Sequence, residues 1–245
     1  MNICVYSPKP GSGASTVARM LAFSLASKAS VLYVELDYFY PSATLAFGLY
    51  DKNRNLNRSV ADFNHLGDKE WVLENYLLSY PKTNISFLAP HGKTGFEYFP
   101  DENPNFVSCL LEKASKSGYE HVILDVPSMP DTLFCTKSLA MCELVFCVLD
   151  NSYYSIPLYH QRMELFKKLE IVENMEIVIN QLHKKNIFDR VIKNEILDKN
   201  PVAFIPYNQK LHELGKKGTV HFPYRLRKEM KKTIEKCIKD EVREV

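Results

Sequence analysis

Short runs that are almost wholly apolar alternate along this chain with amphipathic stretches. The runs are Ile3 to Tyr6, Ser30 to Leu36, Ile85 to Ala89, His121 to Pro127, Leu144 to Leu149, Glu176 to Asn180 and Val202 to Ile205. They are rich in β-branched and aromatic residues and alternate little, which is how strands covered on both faces read. Between them, apolar positions recur at helical spacing. This predicts helices over about Val17 to Ala26, Pro104 to Ser117, about Ile156 to Leu169, about Ile187 to Leu197, Gln209 to Lys216 and Tyr224 to Val242. The stretch from Tyr38 to about Lys82 reads as helix or loop, with Trp71, Leu73, Tyr76, Leu77 and Tyr80 at helical spacing. His91 to Asn105 bears Pro, Asn and Gly and reads as a surface loop. The rhythm predicts an α/β fold of three layers, an open and mostly parallel twisted sheet with helices on both faces. No internal repeat or low-complexity linker interrupts it, so one domain over 1–245 is expected. Such folds bind ligands at the carboxyl ends of their strands.

Composition narrows the classes. Hydrophobic residues make up 46% of the chain and charged ones 24%, which suits a packed core under a polar surface. A formal net charge of +2 argues against a dedicated nucleic-acid wrapper and leaves room for a local basic patch. Cys4, Cys109, Cys135, Cys142, Cys147 and Cys237 form no C-x-x-C pair, so buried reduced thiols are expected. No basic segment leading into an apolar one opens the chain, and no apolar run approaches ~18–20 residues. The expectation is a cytoplasmic protein without a spanning helix.

Chemistry gathers where the first strand pattern ends. Ser7-Pro8-Lys9-Pro10-Gly11-Ser12-Gly13-Ala14-Ser15-Thr16 lies between that strand and the first helical pattern. Glycines there let backbone N–H groups turn inward, and a helix N-terminus adds partial positive charge. The phosphate-loop pattern G-x-x-x-x-G-K-[ST] is half met: Gly13 and Ser15 match, but Pro8 stands at the first glycine and Ala14 at the lysine. Other polar residues close the strand runs: Asp37, Asp125, Asn180, and the group Pro206, Tyr207 and Asn208. A carboxylate ending a buried strand is costly unless something uses it, and beside a phosphate loop that is usually Mg²⁺ or its waters.

Over nearly its full length the chain resembles the ParA/MinD superfamily of deviant-Walker P-loop ATPases. Lys9-Pro10-Gly11-Ser12-Gly13-Ala14-Ser15 is similar to the family loop K-G-G-x-G-K-[ST]. The resemblance makes Lys9 the signature lysine that reaches the partner's nucleotide in an ATP-bound dimer. The Val31-to-Asp37 run with Pro41-Ser42 resembles D-x-D-x-x-x-P-S, with Glu35 at the first Asp and Asp37 at the one that orients the attacking water. Tyr119 to Pro127 resembles the Walker B strand and implies Asp125 in the magnesium shell, with Ser15 as the other metal residue. Val178-Ile179-Asn180 resembles the strand whose Asn reads the adenine, and Ile205-Pro206-Tyr207 the base-flanking loop. Gly11, Ser12, Gly13, Ala14, Ser15 and Thr16 would then cradle the phosphates of ATP or ADP.

Without the loop lysine, backbone N–H groups, Ser15 and Mg²⁺ must hold the phosphate charge, so hydrolysis is expected to be slow or absent. Within the superfamily the chain most resembles the CpaE/TadZ branch of localisation and assembly hubs in pilus and secretion systems. The capsule-type tyrosine kinases share the fold but end in a tyrosine cluster, which Arg225 to Val245 lacks. Three readings follow: a nucleotide-responsive homodimer that recruits protein partners; a slow partition-type ATPase on non-specific DNA; and a scaffold that has lost nucleotide. The Tyr224-to-Val242 pattern has an apolar stripe opposite Arg225, Arg227, Lys228, Lys231, Lys232, Lys236 and Lys239. It reads as the last helix packed on the sheet, with a membrane-surface helix as the alternative; a location at the cell pole is what the resemblance to the hub branch implies. Lys167-Lys168, Lys184-Lys185 and Lys216-Lys217 read as solvated surface, with a DNA-binding face as theirs.

Overall fold

The computed structural model describes residues 1–91, 103–182 and 201–209, together with His212, Glu213, Lys228 and Lys232. Its strands are β1 (Asn2–Tyr6), β2 (Val31–Glu35), β3 (Leu78–Ser79), β4 (Ile85–Leu88), β5 (His121–Asp125), β6 (Leu144–Asp150), β7 (Met175–Leu182) and β8 (Ala203–Pro206). They form one sheet in the order β3-β4-β2-β5-β1-β6-β7-β8. Every pairing is parallel except β3 with β4. The helices are α1 (Ala14–Leu25), α2 (Ala43–Phe47), α3 (Leu56–Glu70), α4 (Pro104–Ser115), α5 (Leu133–Met141) and α6 (Ser155–Lys168).

The central apolar runs are strands because both their faces are covered: every residue of β1, β2 and β6 is buried, whereas alternate residues of the edge strand β8 are exposed. Ile3, Val5, Val31, Tyr33, Ile123, Phe146 and Val178 lie with α1 residues in one core cluster. Cys4, Tyr6, Leu32, Leu124, Cys147 and Ile179 lie with residues of α3, α4, α5 and α6 in the other. Local chemistry sets the helix starts. Asn55 caps α3 by accepting from Arg58 N at 2.8 Å, and Asn103 precedes Pro104 at the head of α4. Thr132 caps α5 by accepting from Cys135 N.

Three local expectations are corrected. The first helix begins at Ala14, well before Val17, because Gly13 in the left-handed region lets the loop enter the helix directly. The helical spacing of Trp71, Leu73, Tyr76, Leu77 and Tyr80, in a stretch read as helix or loop, does not make an α-helix. Gly67 at φ 72° breaks α3, Trp71 is extended, a 3₁₀ turn covers Leu73–Tyr76, and β3 follows. The aromatic spacing comes instead from packing: Trp71 stacks on Tyr76 and meets Phe63 and Phe106 edge-on. The α5 helix was not expected. The patterns over 187–197 and 224–242, the Lys184 and Lys216 doublets, Cys237 and most of the 209–216 and 91–105 stretches lie outside the described residues. Cys4, Cys135, Cys142 and Cys147 are buried free thiols, and Cys109 is half-buried. Among the described residues no helix is long and apolar enough to cross a membrane.

Candidate functional site

In the sheet β1 lies between β5 and β6, while the chain runs from β1 to β2 on one side and later from β5 to β6 on the other. The loop after β1 therefore sits at the point where strand order reverses, and the ends of β2, β5, β6, β7 and β8 lie beside it. A cleft of about 620 Å³ opens there, lined by Ser7 and the loop from Lys9 to Thr16, by Asp37, Phe39 and Tyr40, by Val126 to Met129, and by Gln181.

The loop is shaped by its glycines and held from β7. Gly11 and Gly13 have φ of 81° and 87°. Asn180 donates its amide to Ser12 O at 2.8 Å, and Gln181 donates to Gly11 O at 3.2 Å. A Cβ on Gly13 would stand 2.3 Å from Asn180 Nδ2, so that approach needs glycine. The Ser12 hydroxyl is buried with no protein partner among the described residues. Ala14 is the first residue of α1, at the mouth of the cleft.

At the cleft floor Ser15 Oγ donates to Asp125 Oδ1 at 3.1 Å, and Tyr33 Oη donates to Asp125 Oδ2 at 2.6 Å. Burial pushes the Asp125 carboxyl up, against the Tyr33 bond, the Arg19 charge and the Ser15 bond. Glu35 is paired with Asp125 across β2 and β5 and is wholly buried. Burial first, then the Asp125 charge, push its carboxyl up. It accepts from Ser42 N at 2.8 Å, from Ser42 Oγ at 2.9 Å and from Ala43 N at 3.0 Å, which pins the start of α2. Arg19 from α1 donates to the same Ser42 hydroxyl at 2.7 Å. Asp37 Oδ1 receives Phe39 N and Tyr40 N, and burial raises its carboxyl despite these bonds.

Lys9 does not point freely into the cleft. Its ammonium is bonded to Asp150 Oδ2 at the end of β6. Burial alone would raise the Asp150 carboxyl, but bonds from Lys9, Ser152 and Ser155 outweigh it and hold it below the usual range. A second pocket of about 340 Å³ adjoins the loop, lined by Gly13, Thr16, Met20, Asn180, Gln181, Pro206, Tyr207 and His212 among others. The structure thus brings Lys9, Gly11, Ser12, Gly13, Ala14, Ser15, Thr16 and Asp37 to one cleft, with Asp125 bonded to Ser15. Asn180, Pro206 and Tyr207 line the neighbouring one.

No protein-family model matches the chain. An uncharacterized ATP-binding protein of Methanocaldococcus jannaschii is 25% identical over 210 residues, 85% of this chain and 74% of that one. A putative plasmid partition protein of Borrelia burgdorferi bound to AMPPNP superposes with a TM-score of 0.78 at 17% identity, covering 98% of each chain. This is the ParA/MinD fold. The septum site-determining protein MinD of Pyrococcus horikoshii with Mg-ADP superposes at 0.76, also at 17% identity, over 96% of each chain.

A ParA/MinD fold implies Mg²⁺ beside a nucleotide, and the side chains fit that group. Magnesium is usually held by one or two protein oxygens plus phosphates and water rather than by an all-protein cage. Ser15 and Asp125 supply two hard oxygens beside the loop, and among the described residues no group of three His, Cys, Asp or Glu gathers to hold a metal alone. Sequence reasoning missed Asp150, Gln181 and Tyr33. Asp150 carried the same signal as Asp37 and Asp125, a carboxylate closing an apolar run. Gln181 and Tyr33 carried none: one follows a singled-out Asn, and the other reads as an ordinary strand aromatic.

Proposed function

We propose that the cleft binds ATP or ADP with Mg²⁺ and that the chain works as a nucleotide-responsive homodimer, recruiting protein partners of an assembly or positioning system of the pilus or secretion kind. Hydrolysis is slow or absent. The observation that carries this reading is an intact cradle, with Ser15 bonded to Asp125 at its floor, around an alanine where the phosphate-loop pattern has its cation. The nucleotides held by the two solved structures of the same fold support the ligand class. In this reading Ser15 and Asp125 hold the metal, Asn180, Pro206 and Tyr207 flank the base, and Asp37 orients water.

Charge explains the expected slowness. Among the described residues lining the cleft, Lys9 is the one cation, and Asp150 engages it. Backbone N–H groups, the head of α1 and Mg²⁺ then carry the phosphate charge, which serves binding better than a transition state whose charge shifts between phosphates. Calorimetry with ATP and Mg²⁺ tests this directly, with light scattering for the dimer and phosphate release for turnover. Binding with dimerisation and little turnover is expected, and Ala14→Lys is expected to raise turnover about tenfold or more. No heat at millimolar ATP would leave only a nucleotide-free scaffold. Turnover stimulated by DNA would instead favour a partition-type ATPase.

A further inference from the structure

Tyr33 lies outside the loop motif, yet it holds the carboxylate on which the metal site depends. In the β2–β5 register Tyr33 faces Ile123 and Glu35 faces Asp125, so these four side chains leave the sheet on one face. Tyr33 is therefore diagonal to Asp125, a separation that a tyrosine side chain can span. Its ring is fixed against Phe47 at 5.5 Å, and it is fully buried. Its hydroxyl donates to Asp125 Oδ2 at 2.6 Å, while Ser15 donates to Oδ1 at 3.1 Å. A buried O–H without an acceptor is costly, so this donor stays on Oδ2. The nearby charged groups are Arg19 from α1, Glu35 beside Tyr33 on β2, and Asp37 after the strand.

We infer that Tyr33 is a positioning residue for cation binding: by occupying Oδ2 it fixes the Asp125 carboxylate so that Oδ1, shared with Ser15, is the oxygen presented to Mg²⁺ or to its bound water. The inference rests on the nucleotide-and-magnesium reading of the cleft. Tyr33 touches no ligand itself. It acts as outer-shell partners of metal ligands do, by orienting the group that coordinates, and losing such a partner typically costs about 10–100-fold in metal affinity.

The test separates the metal from the cradle. Tyr33→Phe keeps the ring and removes only the hydroxyl. ATP binding is measured by calorimetry in Mg²⁺ and in EDTA, and the Mg²⁺ concentration for half-maximal effect is titrated at fixed ATP. The variant is expected to need about tenfold more Mg²⁺ or beyond, while its ATP affinity in EDTA stays at the wild-type value. In an Asp125→Asn background the same substitution is expected to add nothing. An unchanged Mg²⁺ requirement, an equal loss with and without Mg²⁺, or full additivity with Asp125→Asn would overturn the inference. Should Tyr33→Phe not fold, the wild-type protein supplies the readout. The Tyr33 hydroxyl proton is expected as a slowly exchanging NMR resonance that moves with Mg²⁺ and ATP but not with ATP in EDTA, and an unmoved resonance overturns the proposal. If the wild type binds ATP without any response to Mg²⁺, or does not bind it, the reading of the cleft has failed first and this inference falls with it.

Discussion

The carboxylate of Asp150 receives Lys9 on one oxygen and the hydroxyls of Ser152 and Ser155 on the other. With Lys9 about a quarter exposed, the pair is neither a surface ion pair nor a fully buried one. Asp150→Asn removes the charge but keeps a hydrogen-bonding shape, and the expected loss is about 1–2 kcal/mol at neutral pH. The sign with pH follows from the lowered carboxyl. Its stabilisation is complete above the ordinary carboxylate value near 4 and is lost as pH falls through the still lower folded value. Urea unfolding is expected to show the wild type ahead of Asp150→Asn at pH 7 and the two converging below about pH 4. The same variant is expected to bind ATP more tightly, because it releases the cleft's cation.

At the scale of elements, the loop between β1 and α1 has two glycines with the same backbone sign and different surroundings. Gly11 has open space around its missing Cβ, whereas Gly13 has Asn180 at 2.3 Å. Gly11→Ala is expected to cost roughly 1–2 kcal/mol from the left-handed backbone alone. Gly13→Ala should cost about 1–3 kcal/mol more, because Asn180 must leave Ser12 O. Thermal unfolding of the two variants checks the difference. The seven parallel strands were legible in the sequence as apolar runs, whereas the two-residue edge strand β3, inside a stretch read as helix or loop, was not. The loop was legible too, since glycine spacing is local. The α5 helix was not: Phe134, Cys135, Ser138 and Leu139 are buried without a clear polar stripe beside them, so no helical period stands out. The Trp71-to-Tyr80 stretch misled for the opposite reason, a helical spacing produced by aromatic stacking. Asp37, Asp125 and Asn180 were findable from strand ends. The Tyr33 bond to Asp125 was not, because it joins residues 92 positions apart through a register that only the folded sheet sets.

For the whole molecule, the two core clusters lie on opposite faces of the same strands. Leu21 belongs to one and Phe106 to the other, and both are essentially inaccessible to solvent. Since the sheet cannot lose one covering layer and keep its buried strands, Leu21→Ala and Phe106→Ala are each expected to lower one shared unfolding transition by about 3 kcal/mol. Trp71, the chain's single tryptophan, sits in the cluster with Phe106 and reports that face, while far-ultraviolet circular dichroism reports the whole. The two signals should coincide in the wild type and in both variants. Separate midpoints would show that the layers melt independently.

The amide of Asn180 braces the loop after β1 from the strand that also borders the second pocket. An incoming ligand would therefore meet a finished mould rather than one it must first organise. Little ordering entropy remains to be spent at the moment of capture. Capture of the nucleotide by one chain should then be a single encounter step whose speed rises in proportion to ligand concentration, ahead of the dimerisation that follows it.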